Sequence, residues 1–311
     1  MKKHNAFTMI ELVFVIVIMG IIGKFGLEFI AQAYNNYLFS SINNTLQSNS
    51  ATALEFISAR LQNRIKYSTI DRNTSNPNNA NNYNAIQVGG GVDYTMLEWV
   101  ATDMDGFRGN SLDTEAVNFP NWSGIIDVNN TAAGISLLIS PKTNTTKINN
   151  LIQILSNSNS DINDSALYFI GSDQDIDAYG WDGVPIANQN SVMHPIISTA
   201  QVNQFAPLVG TWAGVDVYEY YKLSWTANAV RFIDNPDYAI SRRGSLWFYY
   251  DYRPWLGEQW SDATTKSALI MQNVTTFRFV AIGSMIKIQV CVGSDFIAAE
   301  DYSICKEKTI Y

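Results

Sequence analysis

The chain has 311 residues, 47% of them hydrophobic and 15% charged, and a formal net charge of −8. That is enough chain for one large domain or two smaller ones around a real core, too little charge for a disordered chain, and the wrong sign for non-specific binding to phosphate backbones. Aromatic residues reach 13%, which suits a β-rich body.

The N-terminus pairs a short basic start, Lys2 and Lys3, with an apolar run over residues 7–23 that contains one acid, Glu11. A carboxylate near mid-membrane costs about 2.5–3.5 kcal/mol, so its presence must be accounted for. A secretory signal peptide needs a small-residue cut site after its apolar core, but here the run continues into Lys24, Phe25, Gly26 and Leu27. A plain anchor of about 20 apolar residues, oriented by the upstream lysines, has no use for Glu11. A third reading uses every residue: cleavage between Ala6 and Phe7 leaves the run on the mature chain and gives Phe7 a free amine. Glu11, about one helical turn on, then pairs with the amine of a neighbouring copy, and pairing makes an intramembrane carboxylate tolerable.

These residues resemble a known family. Lys2-Lys3 through Phe7-Thr8-Met9-Ile10-Glu11 is similar to the class III leader of type IV pilins and type II secretion pseudopilins. The resemblance implies that Ala6 precedes the prepilin-peptidase cut, that Phe7 becomes the N-methylated first residue and that Glu11 is the assembly glutamate. The family usually has Gly before the cut, where this chain has Ala6.

Downstream, Leu38, Ile42, Leu46, Ala53, Ile57, Leu61 and Ile65 recur on one helical face. Glycines at 20, 23 and 26 are close-packing or soft points. With no proline in 7–70, one helix is expected from Phe7 to about Ser68, roughly 90 Å long. Residues 71–84, Asn-rich with Pro77, read as a linker or surface loop. Strands are expected at 85–88, 94–100, 135–140, 166–170, 218–225, 245–250, 274–280 and 285–292. Ile148, Leu151, Ile152 and Leu155 form a short helical face, and 277–292 is the clearest hairpin, turning at Gly283-Ser284. The organisation expected is a leader at 1–6, a transmembrane and assembly helix at 7–70, an Asn-rich linker or loop at 71–84 and a periplasmic β-rich, pilin-like head at 85–311. That is an α+β, pilin-like fold in which an antiparallel sheet covers the second half of the helix.

In an exported chain Cys291 and Cys305 read as one disulfide closing a loop; two buried free thiols are the alternative. The pair looks like the disulfide-bounded C-terminal loop of many pilins. The length of the chain, the helix at 51–70 and the late hairpin are similar to the minor pseudopilin J and minor pilin W group.

Little else carries chemistry. His4 leaves with the leader, so His194 stands alone and reads as structural; no HExxH, phosphate loop or CxxC is present. The Gly-rich stretch 88–93 reads as a turn. Asp173, Asp175 and Asp177 alternate near Asp182, a weak calcium pattern that lacks the EF-hand Gly and Glu, having Ala178 and Val184 in their places. Asn73, Asn129 and Asn163 head acidic N-glycosylation sequons. Tyr179, Trp181 and Trp255 read as core more than as a ligand platform.

The expectation is a non-enzymatic subunit with no required cofactor. Its partners would be prepilin peptidase, other pilins or pseudopilins and the inner membrane, with the N-terminus cytoplasmic and the head periplasmic. Its rivals are a membrane-anchored module binding a glycan or surface, and an anchored hydrolase built on His194 or the aspartates.

Overall fold

The structure is a computed structural model and describes residues 8–75, 81–89, 94–109, 119–129, 136–237, 242–294 and 302–311. Helix α1 (Met9–Leu61) runs without a break for 53 residues. The chain divides after Asn49 into two units. The first holds most of α1; the second holds its last turns and everything that follows.

α1 stops at Leu61, short of the expected end near residue 70. The physical reason is tertiary. The Arg64 guanidinium donates to the Leu61 carbonyl at 2.9 Å, and the Ile65 N–H donates to Val100 at 3.0 Å. The backbone thereby leaves the helical ladder for a sheet. The segment expected as a linker starts and ends in strands: β1 (Ile70–Asn73) pairs antiparallel with β2 (Tyr83–Ala85) and with β3 (Tyr94–Ala101). Of the expected strand at 85–88, Ala85 ends β2 and residues 86–88 form the turn that follows it. Of the Gly-rich turn at 88–93, Val88 and Gly89 are described and the rest lies outside the described residues.

Beyond β3 come α2 (Met104–Arg108), β4 (Leu138–Ile139), α3 (Thr145–Leu155), β5 (Ala166–Phe169), β6 (Met193–Ser198), β7 (Gln204–Pro207) and β8 (Tyr221–Ser224). Then follow β9 (Thr226–Asp234), β10 (Gly244–Tyr252), β11 (Lys266–Ile282), β12 (Met285–Gly293) and β13 (Ser303–Ile310). An eight-stranded sheet has the order β13-β12-β11-β10-β9-β3-β1-β2, and a five-stranded sheet the order β4-β7-β6-β5-β8. Among the described residues the strands of both sheets pair antiparallel. The layout is α+β and pilin-like: a long N-terminal apolar helix followed by antiparallel sheets.

Within the second unit the expected helical face is buried at Ala53, Ile57, Leu61 and Ile65. Phe56 meets Phe248 edge-on with centroids 5.1 Å apart, and Glu55 pairs with Lys308 at 2.7 Å. α3 forms where its apolar spacing predicts. Asn144 caps it by accepting from the Lys147 N–H, and Ile148 and Ile152 join Leu167, Phe169, Ile196 and Leu223 in the core of the smaller sheet. The β11–β12 hairpin turns at Gly283, whose φ of 62° suits the first central position of a tight turn.

Two buried polar networks tie the head together. The Arg72 guanidinium pairs with Glu98, donates to the Trp181 carbonyl at 3.0 Å and leaves Glu98 to accept from the Tyr252 hydroxyl at 2.9 Å. Asp251, fully buried, meets Arg253 at 3.1 Å, Lys266 at 2.9 Å and the Ser160 hydroxyl at 2.5 Å. Charges this deep persist only when paired.

Candidate functional site

The site is built on the first turns of α1. Thr8 precedes the helix, and its N–H and hydroxyl both donate to the Glu11 carboxylate, at 2.9 and 2.8 Å through Oε2. This is one half of a capping box: Glu at the third helical position reaches back to the free backbone donor that precedes the helix. The Thr-x-x-Glu spacing signals it in sequence, yet Thr8 escapes a reading fixed on Glu11 alone. Among the described residues no hydrogen bond reaches Oε1, so the carboxylate keeps acceptor capacity for a further donor. Ala6 and Phe7, the expected cleavage and methylation residues, lie outside the described residues.

Around Glu11 the helix offers only apolar side chains to its surroundings: Met9, Phe14, Ile18, Ile22 and Phe25 are all exposed. Nothing stands within 4 Å of a Cβ built on Gly20, Gly23 or Gly26. The apolar stretch ends at an exposed Lys24–Glu28 pair, 3.9 Å apart at i,i+4. α1 is long and apolar enough to cross a membrane and is a candidate membrane anchor.

Residues 1–23 match the family model described as the prokaryotic N-terminal methylation motif. The chain carries a prepilin-type N-terminus. With the long apolar helix behind it, this motif supports a type IV pilin or pseudopilin-type subunit, a structural class that is typically non-enzymatic. The motif implies processing by a prepilin peptidase and assembly with other pilins. Comparison with curated proteins and with solved structures gave no match.

In the head, Cys291 and Cys305 face each other in register on β12 and β13, Cα atoms 3.9 Å apart and sulfurs at disulfide distance. They close a loop of sequence separation 14.

The aspartates do not converge. Asp173 accepts from the Gln174 N–H, Asp175 caps a short 3-10 turn through the Asp177 N–H, Asp177 takes the Tyr83 hydroxyl and Asp182 the Val184 N–H. Three of the carboxylates serve their own loop and Asp177 reaches Tyr83 on β2, and among the described residues no three His, Cys, Asp or Glu side chains are placed to hold a metal ion. The sequons also differ from one another. Asn129 is exposed. Asn73 is half-buried at the end of β1, accepting from the Ser75 N–H. Asn163 is held by Ser198, whose N–H and hydroxyl both donate to it, and its sequon hydroxyl, Ser165, is buried.

His194 is packed on β6 between Phe169 and Trp212, with ring centroids 4.8 and 5.7 Å away. Burial pushes its pKa down to about 4, partly offset by a hydrogen bond to the Gln189 backbone, so the ring is neutral at pH 7. Asp103 follows β3, caps α2 by accepting from the Gly106 N–H at 3.0 Å and takes the Trp122 indole N–H at 3.1 Å. Burial pushes its carboxyl up to about 6. Tyr179, Trp181 and Trp255 are buried in the core.

Proposed function

We propose that the chain is a minor pilin or pseudopilin subunit that enters, or starts, a type II secretion pseudopilus or type IV pilus. The observation that carries this reading is the prepilin-type motif ending in an exposed apolar helix on which Glu11 is kept. In the membrane, Thr8 satisfies part of the Glu11 carboxylate while the subunit waits. After cleavage, the Phe7 amine of a neighbour meets the remaining acceptor and sets the axial register, and the apolar helices bundle. The N-terminus is then cytoplasmic and the head periplasmic.

The length of the chain and its large head favour a minor subunit, in line with the likeness to the minor pseudopilin J and minor pilin W group. The test is purification of the chain from cells with an active prepilin peptidase. Mass spectrometry is expected to find methylated Phe7 as the first residue and other minor pilins or pseudopilins co-purifying. An intact leader, or a monomeric chain indifferent to Glu11→Ala, favours the rival reading of an anchored binding module.

A further inference from the structure

Among the described residues, one face of the smaller sheet carries an exposed apolar row beside positive charge that forms no ion pair. At its edge, the Ile170 N–H donates to the Tyr220 carbonyl at 2.8 Å, and Ile125 forms a β-bridge with Tyr220 on the other side. Residues opposite one another across strands point to the same face, so Ile170, Tyr220 and Ile125 stand side by side. They are 50%, 53% and 40% exposed. Next to Ile170, the Tyr218 ring lies 3.2 Å from where a Gly171 Cβ would stand.

Lys222 continues this face two residues beyond Tyr220, opposite Tyr168. The Thr102 N–H donates to the Asn63 carbonyl and the Asp103 N–H to the Leu223 carbonyl, which sets β8 beside the residues that follow α1; burial and the positive charges of Lys66 and Arg64 lower the Lys222 pKa. None has a carboxylate within ion-pair distance among the described residues. Arg64 is buried and spends its guanidinium on the carbonyls of Leu61 and Ser284, with its Nε unpartnered. The negative end of α1 is thus already capped and leaves Lys66 and Lys222 uncompensated. Asp173 is bonded to its own loop. Unpaired ammonium groups are conspicuous on a chain of net charge −8.

We infer that the row Ile125, Ile170 and Tyr220, flanked by Tyr218 and with Lys66 and Lys222 at its end, docks an acidic protein surface. Resting on the filament reading above, that surface belongs to the head of a neighbouring pilin-type subunit. Aromatic and aliphatic side chains supply the desolvated centre of such an interface. The lysines select a carboxylate-bearing partner and speed its encounter.

The test places a benzophenone photocrosslinker at Tyr220, and separately at Ile170, in the full chain produced by its native host. A reporter at Tyr37 in α1 reads helix bundling independently. Irradiation is expected to join positions 220 and 170 to a pilin-type subunit through a peptide containing Asp or Glu. The pair Lys66→Glu and Lys222→Glu should cut that adduct about tenfold while the melting temperature of the protein is unchanged. Adducts to lipid, adducts indifferent to charge reversal, or no adduct at 220 and 170 while Tyr37 still crosslinks, overturn the docking surface and leave the filament reading standing. Loss of the Tyr37 adduct as well overturns both.

Discussion

Replacing His194 with phenylalanine isolates one pH-dependent component of the stability of the head. The neutral ring sits between Phe169 and Trp212, and burial holds its pKa at about 4 against an ordinary 6.5. In the unfolded chain the imidazole takes a proton below 6.5; in the folded chain it does not until about pH 4. The native state therefore binds fewer protons across that window, and stability falls as pH drops from 6.5 towards 4. A shift of this size corresponds to roughly 3 kcal/mol at 1.36 kcal/mol per unit. Asp103 works in the opposite direction: its carboxyl is raised to about 6, so the fold gains stability as pH falls from 6 towards 3.8. Comparing His194→Phe with the parent chain cancels that contribution, because Asp103 is present in both. Urea melts of the full chain in detergent at pH 7.5 and pH 4.5 measure the difference. The parent is expected to lose roughly 3 kcal/mol more than the variant on acidification. Equal losses in the two proteins would refute the burial of a neutral ring at this position.

Glu11→Ala should leave the subunit in the membrane but keep it out of the filament, read by fractionating sheared filaments from cell envelopes; normal incorporation would sink the assembly role of the carboxylate. Arg72→Leu strands Glu98 without its cation in the core, and about 3–5 kcal/mol should be lost in denaturant titrations, whereas Glu98→Gln alongside it should recover part of the loss. Cys291→Ser should cost about 3 kcal/mol by the loop-closure model for a loop of this size, seen as a lower urea midpoint under oxidising conditions but not in reductant.

Local signals carried much of the molecule. α3 announces itself through Ile148, Leu151, Ile152 and Leu155, and the β11–β12 hairpin through alternation and Gly283. What stayed hidden depends on partners far away in sequence. β1 reads Ile-Asp-Arg-Asn, a polar tetrapeptide, and is buried because Arg72 finds Glu98 on β3. β13 alternates Lys and Glu like a solvated tail, and becomes a strand because Cys305 lies opposite Cys291 and Lys308 reaches Glu55. The helix end moved to Leu61 because Ile65 pairs with Val100. At the candidate site the acid was legible from its isolation in an apolar run, while the row around Tyr220 was not. Lys66, Ile170 and Lys222 come from three separate segments, and only the folded chain makes them neighbours.

The two sheets share a doorway. Ala101 and Thr226 are register partners at the ends of β3 and β9, so everything between them leaves the larger sheet and returns through adjacent positions. In connectivity this excursion is an insertion that a short turn could replace. Energetically it is sewn in: Trp181 and Tyr179 fill the same core as Trp255 and Tyr252, Gly180 lets the chain pass so close to Pro254 that a Cβ would stand 2.4 Å from its carbonyl oxygen, and Ser160 holds Asp251. Loosening the inserted part would expose tryptophans and unpair buried charges in the part left behind. The head is consequently expected to melt as one cooperative body, with the inserted part and the larger sheet giving way together.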